Sequence, residues 1–331
     1  MDKVLLKLDD VKAYYIIEGR QVKAVDGVSF EMFENEIVGI VGESGCGKTT
    51  LSNVLTMNIM KPLKLISGKI LFKSEGGVID MSKMSREEVK ARFWGKEISV
   101  IPQSAMNALM PTIKIRKYIK HISESHGMEE KTLLELAKRR FEDVDLDPAW
   151  LDRYPFEFSG GMKQRAVIAV ATLMKPKLLI ADEPTSALDV VNQKMFLKVL
   201  IEMKKKGIVK SIIFITHDIA TVRQIADRMI VMYAGKIAEI SAIDDVIENP
   251  LHPYTKGLLN SVLTPEPKIK ERGVYTIPGA PPNLIQPPSG CRFHPRCENA
   301  MEICKRKEPT LIDIGKGRKV ACFLYARGEH E

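Results

Sequence analysis

With 331 residues, the chain exceeds the usual size of one compact core, so we expect it to fold into two or more units. A hydrophobic fraction of 45% beside 28% charged residues excludes an intrinsically disordered chain. The formal net charge of +8 fits an anionic partner such as a nucleotide, a lipid surface or nucleic acid, but it equally fits an ordinary, mildly basic surface. No run approaches the roughly 18 uncharged apolar residues of a membrane span, and the N-terminal "MDKVLLKLDDVKAYY" does not resemble a signal peptide. We therefore expect a cytoplasmic protein, in which thiols stay reduced.

The chain begins with sequence that favours β-structure and then alternates between strands and helices. Two β-rich runs, "VLLKLDDVKAYYI" and "VKAVDGVSFEMF", flank the turn-like "EGRQ" and predict a hairpin over the first 33 residues. The short apolar run Glu36–Gly42, which ends in glycine, is typical of a buried parallel strand. Residues 104–152 are helical in pattern and charged, and "RMIVMYAGKIAEI" predicts a hairpin that turns at Ala234–Gly235. Further strands are predicted at "SGKILFK", "EISVIPQ", "KLLIADEP" and "SIIFITHD", and this alternation predicts a mostly parallel sheet with helices on its faces.

The stretch "GESGCGKT" follows the first predicted parallel strand and precedes helix-compatible sequence. It matches the phosphate-loop pattern G-x-x-x-x-G-K-[ST] in the structural context that this pattern requires. Glycines let backbone N–H groups curl round a β-phosphate, and the following helix adds the positive end of its dipole. Lys48 can neutralise β- and γ-phosphate oxygens, and Thr49 can offer its hydroxyl to Mg²⁺. The predicted nucleotide-binding residues of this loop are Gly42, Ser44, Gly45, Cys46, Gly47, Lys48, Thr49 and Thr50.

Two adjacent acidic residues, Asp182 and Glu183, end the apolar strand "KLLIADEP". Open α/β sheets bind their ligands at this edge, the carboxyl ends of the strands. Asp182 is placed to reach Mg²⁺ through water, and Glu183 is placed to polarise an attacking water. An Asp-Glu pair alone is a weak signal, but together with the upstream phosphate loop it predicts a nucleotide hydrolase.

The motif "FSGGMKQR" (Phe158–Arg165) completes a pattern that resembles the ATP-binding cassette (ABC) ATPases over roughly residues 3–245. The resemblance implies that Gln103 in "VIPQS" senses Mg²⁺ and the attacking water, as the glutamine of the Q-loop. It also implies that "SALD" (Ser186–Asp189) is the D-loop and that His217 in "FITHD" contacts the γ-phosphate. The implied ligands are ATP and Mg²⁺, with Mg²⁺ near Thr49, Gln103 and Asp182.

One aromatic residue near the N-terminus, Tyr15, resembles the residue that stacks on adenine in this family. Its neighbour Tyr14 is a competing candidate, and the alternation of a strand puts the two rings on opposite faces. Stacking accepts any base, so this position selects the nucleotide only weakly.

The resemblance implies an α/β fold, that of a P-loop NTPase of the ABC ATPase type. We expect an ATPase domain over residues 1–248, with a mostly parallel sheet, an N-terminal antiparallel β region and a helical subdomain inserted at about 104–160. After Asn249 the composition shifts, with eleven prolines from Pro250 to Pro309. This shift predicts a small, loop-rich C-terminal domain over residues 249–331.

The "SGG" of the signature motif, Ser159, Gly160 and Gly161, lies at a predicted helix start and is a second anion-binding N-terminus. A single chain with one bound ATP cannot use both its phosphate loop and its signature motif on that same nucleotide. In the family that the chain resembles, two cassettes pack head to tail, and the signature of one clasps the γ-phosphate bound by the other. We therefore expect an ATP-dependent dimer, either with a second copy or with a homologous ATPase subunit.

The tail resembles the C-terminal extension of oligopeptide/dipeptide importer ATPases in three separated segments, "NPLHPYTKGLL", "IPGAPPNL" and "CRFHPRC" with "MEIC". The resemblance implies import of di- or oligopeptides through two membrane permease subunits, served by an extracellular solute-binding protein. The ATPase would then lie on the inner face of the cell membrane. Met106, Leu109 and Met110 after the Q-loop suit a groove for a partner helix, or ordinary core. Related systems carry oligosaccharides or nickel, and the ATPase sequence does not identify the cargo.

The sequence departs from the resembling family in two places. The Q-loop reads "QSAMNALMP" where many relatives have an Asp-Pro pair, and the signature begins with Phe158 where leucine is commoner. A more distant alternative is a cassette ATPase that acts on nucleic acid. The single cassette and the absence of a basic run interleaved with aromatic residues speak against it, so no nucleic acid partner is expected.

Four cysteines, Cys291, Cys297, Cys304 and Cys322, crowd the last 41 residues, while one cysteine precedes them. The spacing C-x₅-C-x₆-C-x₁₇-C matches neither structural zinc modules nor ferredoxins, so zinc, an iron–sulfur cluster and free thiols all remain open. Dipeptide-importer ATPases with this tail carry a four-iron, four-sulfur cluster, and the resemblance therefore implies one here, with zinc as the lesser alternative.

Overall fold

The computed structural model describes residues 4–103, 108–186, 188–261 and 277–326. The chain divides into two compact units. The first unit comprises Met1–Met32, Ile37–Ser82 and Thr216–Glu331. The second unit comprises Phe33–Glu36 and Lys83–Ile215.

Strands and helices alternate through the described residues, as the sequence predicted. The strands are β1 (Val4–Ile17), β2 (Arg20–Phe33), β3 (Ile37–Val41), β4 (Leu63–Ser74), β5 (Gly77–Asp80), β6 (Ile98–Ile101), β7 (Leu178–Asp182), β8 (Ser211–Ile215), β9 (Arg228–Tyr233), β10 (Lys236–Ala242), β11 (Ile312–Gly315) and β12 (Arg318–Val320). The helices are α1 (Lys48–Leu55), α2 (Arg86–Phe93), α3 (Ile115–His126), α4 (Glu130–Asp143), α5 (Gly160–Ala171), α6 (Val190–Lys205), α7 (Ile219–Ile225), α8 (Ile243–Glu248), α9 (Pro253–Ser261) and α10 (Glu302–Arg306). No helix in this part of the chain is long and apolar enough to cross a membrane.

The N-terminal hairpin of the first unit is confirmed. Strands β1 and β2 are joined by Glu18 and Gly19, which both have positive φ, the geometry of a tight two-residue hairpin turn. Strand β4 pairs antiparallel with β1 and β5 with β4, which gives the strand order β2-β1-β4-β5. The N-terminal antiparallel β region that the resemblance implied is therefore present.

A second group of strands in the first unit is built around β3, all five of whose residues are buried. Strand β9 pairs parallel with β3, and β10 pairs antiparallel with β9. The turn between β9 and β10 falls at Ala234–Gly235, where the sequence predicted it. Because β3 is covered on both faces, its C-terminal end holds the phosphate loop on a rigid support.

The C-terminal residues contain more regular structure than the predicted loop-rich composition suggested. Strand β12 pairs antiparallel with β10, through Glu239 with Val320 and Ile240 with Lys319, and β11 pairs with β12. The tail therefore adds two strands beside β10. These strands are only four and three residues long, too short for a clear alternation of polar and apolar residues, which is why the sequence did not reveal them.

The second unit contains three parallel strands and the predicted helical region. Strand β6 pairs with β7 and β7 with β8, all parallel, and every residue of β7 and β8 is buried. Helices α3 to α6 belong to this unit, and α3 begins at Ile115, later than the predicted start at 104. The parallel strands and covering helices confirm the α/β fold class.

Candidate nucleotide site and four-cysteine site

The phosphate loop connects β3 to α1 within the first unit. Gly47 is the residue that caps α1, and its φ of 108° and ψ of 5° suit glycine alone among the common residues. A Cβ at Gly47 would lie 2.0 Å from the backbone carbonyl oxygen of Ala24 on β2. The loop therefore packs directly against β2. Helix α1 begins at this point, so its N-terminal backbone N–H groups lie at the phosphate loop.

The loop separates into an exposed and a buried side. Ser44, Gly45 and Thr49 are exposed, whereas Cys46, Gly47, Lys48 and Thr50 are buried. The Nζ of Lys48 donates to the carbonyl oxygens of Gly42 at 2.8 Å and Glu43 at 3.1 Å. The lysine therefore lies along the loop, and its ammonium group holds the loop's own carbonyls.

Cys46 supports the loop from inside. Burial raises the pKa of its thiol, so this side chain is a neutral packing group. Its backbone carbonyl accepts a 2.8 Å hydrogen bond from the N–H of Gly235, in the turn between β9 and β10. This turn is thus a second rigid element beneath the loop.

The two neighbouring tyrosines lie on opposite faces of β1, as alternation predicted. Tyr14 is buried, and its hydroxyl donates to Oδ1 of Asp26 at 2.5 Å. Burial and the Asp26 carboxylate raise the pKa of Tyr14. Tyr15 is half-buried, and its hydroxyl lies 3.1 Å from Oγ1 of Thr50 in the first turn of α1. Of the two rings, that of Tyr15 is next to the phosphate loop.

His217 belongs to the first unit and is exposed. Both of its chain neighbours are held by hydrogen bonds. The N–H of Thr216 donates to the carbonyl of Ile40 on β3 at 3.1 Å. Oδ1 of Asp218 accepts from the N–H of Ala220 at 2.9 Å. The histidine is therefore placed beside the strand that leads to the phosphate loop, at the capped start of α7.

The acidic pair lies in the second unit, at the end of β7. Asp182 is the last residue of the strand and is buried. Glu183 is also buried, and its φ of 46° is left-handed, which is unusual for a residue with a side chain. Its N–H donates to the carbonyl of Ile215 at 2.8 Å, which holds this conformation in place. Residues kept in sparsely populated backbone regions often mark functional sites.

Gln103 is exposed and follows two residues after β6 in the same unit. Met106 of the predicted partner groove and Ala187 of the D-loop lie outside the described residues. Asp189, at the end of the D-loop, caps α6, and its Oδ1 accepts from the N–H of Asn192 at 2.8 Å.

The signature motif opens α5, as predicted. Ser159 is the exposed N-cap, and its Oγ accepts from the N–H of Met162 at 3.3 Å. Gly160 and Gly161 form the first turn and line a small open cavity together with Asn192. Phe158, which departs from the usual leucine, is buried edge-on against Trp150, with ring centroids 5.0 Å apart. This contact gives the aromatic residue a packing role.

The four C-terminal cysteines come together although they are spread over 32 residues of sequence. All four line one small cavity in the first unit. Burial and the neighbouring thiolates raise the pKa of Cys291 to about 12 and that of Cys322 to about 11, and they raise the pKa of Cys297 in the same direction. Among the described residues, no group of three or more His, Cys, Asp or Glu side chains is arranged to hold a metal ion.

Two residues of the tail contact the phosphate loop, and no sequence signal had singled them out. Tyr254 and Arg296 both bond to Glu43, the second residue of "GESGCGKT". They follow Glu43 by 211 and 253 residues, so no local pattern connects them. Both residues lie in tail segments that carry the family resemblance, Tyr254 in "NPLHPYTKGLL" and Arg296 in "CRFHPRC", but nothing in those segments points to the phosphate loop.

Comparison with known proteins agrees with these features. A family model described as "ABC transporter" matches residues 25–186, and one described as "Oligopeptide/dipeptide transporter, C-terminal region" matches residues 238–304. The chain is 42% identical to "Dipeptide transport ATP-binding protein DppD" of Caldanaerobacter subterraneus subsp. tengcongensis over 328 residues, 98% of each chain. It is 40% identical to "Oligopeptide transport ATP-binding protein OppD" of Bacillus subtilis over 327 residues, 97% of this chain and 88% of the relative.

A solved structure, "Dimeric Structure of MJ0796, a Bacterial ABC Transporter Cassette", shares the fold with a TM-score of 0.61 and 23% identity. It corresponds to 72% of this chain and 99% of its own. The sequence relatives, by contrast, match this chain almost from end to end. The chain therefore belongs to the ATP-binding cassette ATPases of ABC transporters, and within them to the group with the oligopeptide/dipeptide transporter C-terminal region.

Proposed function

We propose that this ATPase hydrolyses ATP to power the import of di- or oligopeptides through separate membrane permease subunits. The observation that carries the proposal is the similarity to a dipeptide transport ATP-binding protein over 98% of both chains, tail included. A cargo of oligosaccharide or nickel is the alternative within the same group. ATP-dependent uptake of labelled peptide into vesicles that contain the chain and its permease tests the cargo, and uptake that only nickel or oligosaccharide supports would contradict it.

In the proposed site, the phosphate loop and the N-terminus of α1 bind the ATP phosphates, and Tyr15 stacks on the adenine ring. The loop supports this role through its exposed side, where Ser44, Gly45 and Thr49 are accessible. Hydroxyl, amide and carboxylate oxygens are the ligands that Mg²⁺ prefers, so Thr49, Gln103 and Asp182 would hold the ion. Bound Mg²⁺ would neutralise charge on the β- and γ-phosphates.

Glu183 is the proposed general base, and His217 the proposed contact to the γ-phosphate. The buried, left-handed placement of Glu183 directly after Asp182 supports this assignment. Glu183→Gln keeps the shape of the side chain but removes its basicity, so we expect ATP turnover to fall by about 10²-fold or more. ATP binding should remain, whereas Lys48→Ala should weaken binding itself. A Glu183→Gln protein that turns over ATP at the wild-type rate would refute the assignment.

The proposed assembly is a head-to-tail dimer in which Ser159, Gly160 and Gly161 of one chain clasp ATP bound by a second copy or a homologous subunit. Val190 and Val191, at the start of α6 directly after the D-loop, support a partner at this surface. They are 66% and 69% exposed, unusually high for adjacent valines. The Glu183→Gln variant should accumulate the ATP-bound dimer in size-exclusion chromatography, and Ser159→Phe should prevent it.

The proposed site for the permease is a largely apolar groove of the second unit. Trp94, Pro102, Leu109, Tyr118 and Met174 are among its lining residues. Such a groove suits an amphipathic helix of a permease subunit and would place the ATPase on the inner face of the membrane. Recovery of two permease subunits with the chain from solubilised membranes tests this partnership. Salt-sensitive binding to DNA or RNA in their place would favour the nucleic acid alternative.

The four C-terminal cysteines are proposed to hold a four-iron, four-sulfur cluster, with zinc as the lesser alternative. The support for this proposal is that all four thiols line one cavity. Burial, and after it the repulsion from neighbouring thiolates, raises the pKa values of Cys291, Cys297 and Cys322. Bound iron would neutralise this repulsion and tie residues 291–322 together. Protein purified without oxygen should show a broad visible absorbance, with iron and acid-labile sulfide in equal amounts. Colourless, iron-free protein would contradict the cluster, and stoichiometric zinc would favour the alternative.

The domain division proposed here keeps residues 1–248 as the ATPase domain, with a helical subdomain at about 104–160, and residues 249–331 as the C-terminal extension. The two family models match residues 25–186 and 238–304, which supports a boundary between the ATPase domain and the C-terminal extension near residue 240. The compact units follow a different partition, because the extension packs into the same unit as the phosphate loop.

A further inference from the structure

Arg296, a residue of the C-terminal extension, binds the side chain of Glu43 in the phosphate loop through its guanidinium group. Its two terminal nitrogens donate to the two carboxylate oxygens of Glu43, at 2.7 and 2.9 Å. Its Nε donates to the carbonyl of Pro278 at 2.8 Å, so the arginine is itself fixed. Arg296 is only 8% exposed. A buried, bidentate arginine–carboxylate pair fixes both the distance and the relative orientation of the two side chains.

The same loop residue is also held by its backbone. The hydroxyl of Tyr254 accepts a hydrogen bond from the N–H of Glu43 at 2.9 Å. Tyr254 is fully buried, and its ring packs against Tyr233, with centroids 4.6 Å apart, and Phe293, at 5.4 Å. The tail therefore determines where both the main chain and the side chain of Glu43 lie.

The position of Glu43 in turn affects the lysine of the loop. The carbonyl of Glu43 accepts from Nζ of Lys48 at 3.1 Å, so a rotation of this peptide unit would also move the partner of the ammonium group. The loop contains glycines at 42, 45 and 47, which leave it many alternative conformations when nothing holds it. A contact that selects one conformation in advance lowers the entropy that binding must overcome.

We propose that Arg296 is a positioning residue for ATP binding, which fixes Glu43 and thereby orders the phosphate loop before the nucleotide arrives. This inference rests on the proposed role of the phosphate loop, through Gly42 and residues 44–49, in binding the ATP phosphates. It gives the C-terminal extension a part in the nucleotide site of its own chain. The extension then acts on the affinity for ATP and not on the chemical step.

A second arginine of the extension provides a matched control. Arg318 also joins the tail to the body of the first unit, through Glu239 at 3.9 Å and a hydrogen bond to the carbonyl of Asn249. These partners lie outside the phosphate loop. Arg318→Gln therefore removes a comparable attachment without a direct effect on Glu43.

The test compares full-length Arg296→Gln, Glu43→Gln, their double variant and Arg318→Gln by the Kd for ATP and by KM and kcat of ATP hydrolysis. Because charged hydrogen bonds of this kind are worth about one to two powers of ten in an equilibrium, we expect each single variant at the Arg296–Glu43 pair to raise Kd and KM roughly tenfold. The double variant should be no worse than either single one, since both remove the same contact. The kcat should stay within about twofold, and Arg318→Gln should lower thermal stability with Kd nearly unchanged.

Two results would overturn the inference: a Kd for Arg296→Gln equal to that of wild type, or effects that multiply in the double variant. Glu43→Gln alters the pair from the loop side, so it provides the measurement if Arg296→Gln fails to fold. Lys48→Ala separates the inference from the function on which it rests. If Lys48→Ala abolishes ATP binding and Arg296→Gln does not affect it, only the positioning role fails. If Lys48→Ala binds ATP normally, the phosphate-loop assignment fails, and the inference with it.

Discussion

Two glycines of the phosphate loop, Gly45 and Gly47, give a matched pair for a stability measurement. Both have left-handed φ, +77° and +108°, but an added Cβ at Gly45 would meet nothing within 4 Å. At Gly47 it would lie 2.0 Å from the carbonyl oxygen of Ala24 and 3.1 Å from the carbonyl carbon. The two positions thus share backbone strain and differ in the space around them.

The expected losses follow from these two effects. Left-handed backbone destabilises an alanine by about 1–2 kcal/mol, and this is the whole effect for Gly45→Ala. Gly47→Ala adds a clash with the backbone carbonyl of the buried residue Ala24 on β2, and such overpacking costs about 1–3 kcal/mol more. We therefore expect a loss of about 1–2 kcal/mol for Gly45→Ala and about 2–5 kcal/mol for Gly47→Ala.

Thermal unfolding without nucleotide measures the difference, because nucleotide binding would otherwise add its own stabilisation. At roughly 2–4 °C per kcal/mol, Gly45→Ala should lower Tm by a few degrees and Gly47→Ala by about two to three times as much. Equal Tm losses for the two variants, or a larger loss for Gly45→Ala, would refute the claim that the loop is pressed against β2 at Gly47.

Two further predictions concern single side chains of the first unit. Burial lowers the pKa of His252 from 6.5 to about 4. Between these two pH values the unfolded chain binds a proton at this side chain and the folded chain does not. The free energy of unfolding therefore falls as the pH is lowered from about 6.5 towards 4. Between pH 7.5 and 5 this amounts to about 2 kcal/mol, which urea unfolding should show for wild type but not for His252→Gln; parallel curves for the two proteins would contradict it. Tyr15→Ala should weaken ATP binding by about 1–3 kcal/mol through lost stacking, whereas Tyr15→Phe should bind within a few fold of wild type. If the phenylalanine variant binds as poorly as the alanine variant, the hydroxyl contact to Thr50, and not stacking, is the relevant interaction.

The sequence predicted those parts of the fold whose cause is local. The turns at Glu18–Gly19 and Ala234–Gly235 were visible because turn residues stand between alternating β-rich runs. The phosphate loop was visible because its glycines and lysine occur at fixed spacing after an apolar strand. Opposite faces for Tyr14 and Tyr15 followed from the geometry of a strand alone.

Other features depend on contacts between distant residues and left no local trace. The left-handed backbone of Glu183 is held by a hydrogen bond to Ile215, which no periodicity encodes. The contact between Arg296 and Glu43 joins residues 253 positions apart. Cysteine spacing could not show that the four thiols share one cavity, because spacing carries no information on how the chain folds back between them.

The pairing of β12 with β10 also sets the order in which this protein can be completed during synthesis. Strand β10 ends at Ala242, and β12 begins only at Arg318. At about 5–20 residues per second, a ribosome needs roughly 4–15 seconds to supply the missing strand. During that interval the edge of β10 carries unpaired backbone groups, which are a template for strands of other chains. A nascent chain that stalls within residues 243–317 would thus present this edge, and the last strand of the tail serves to close it.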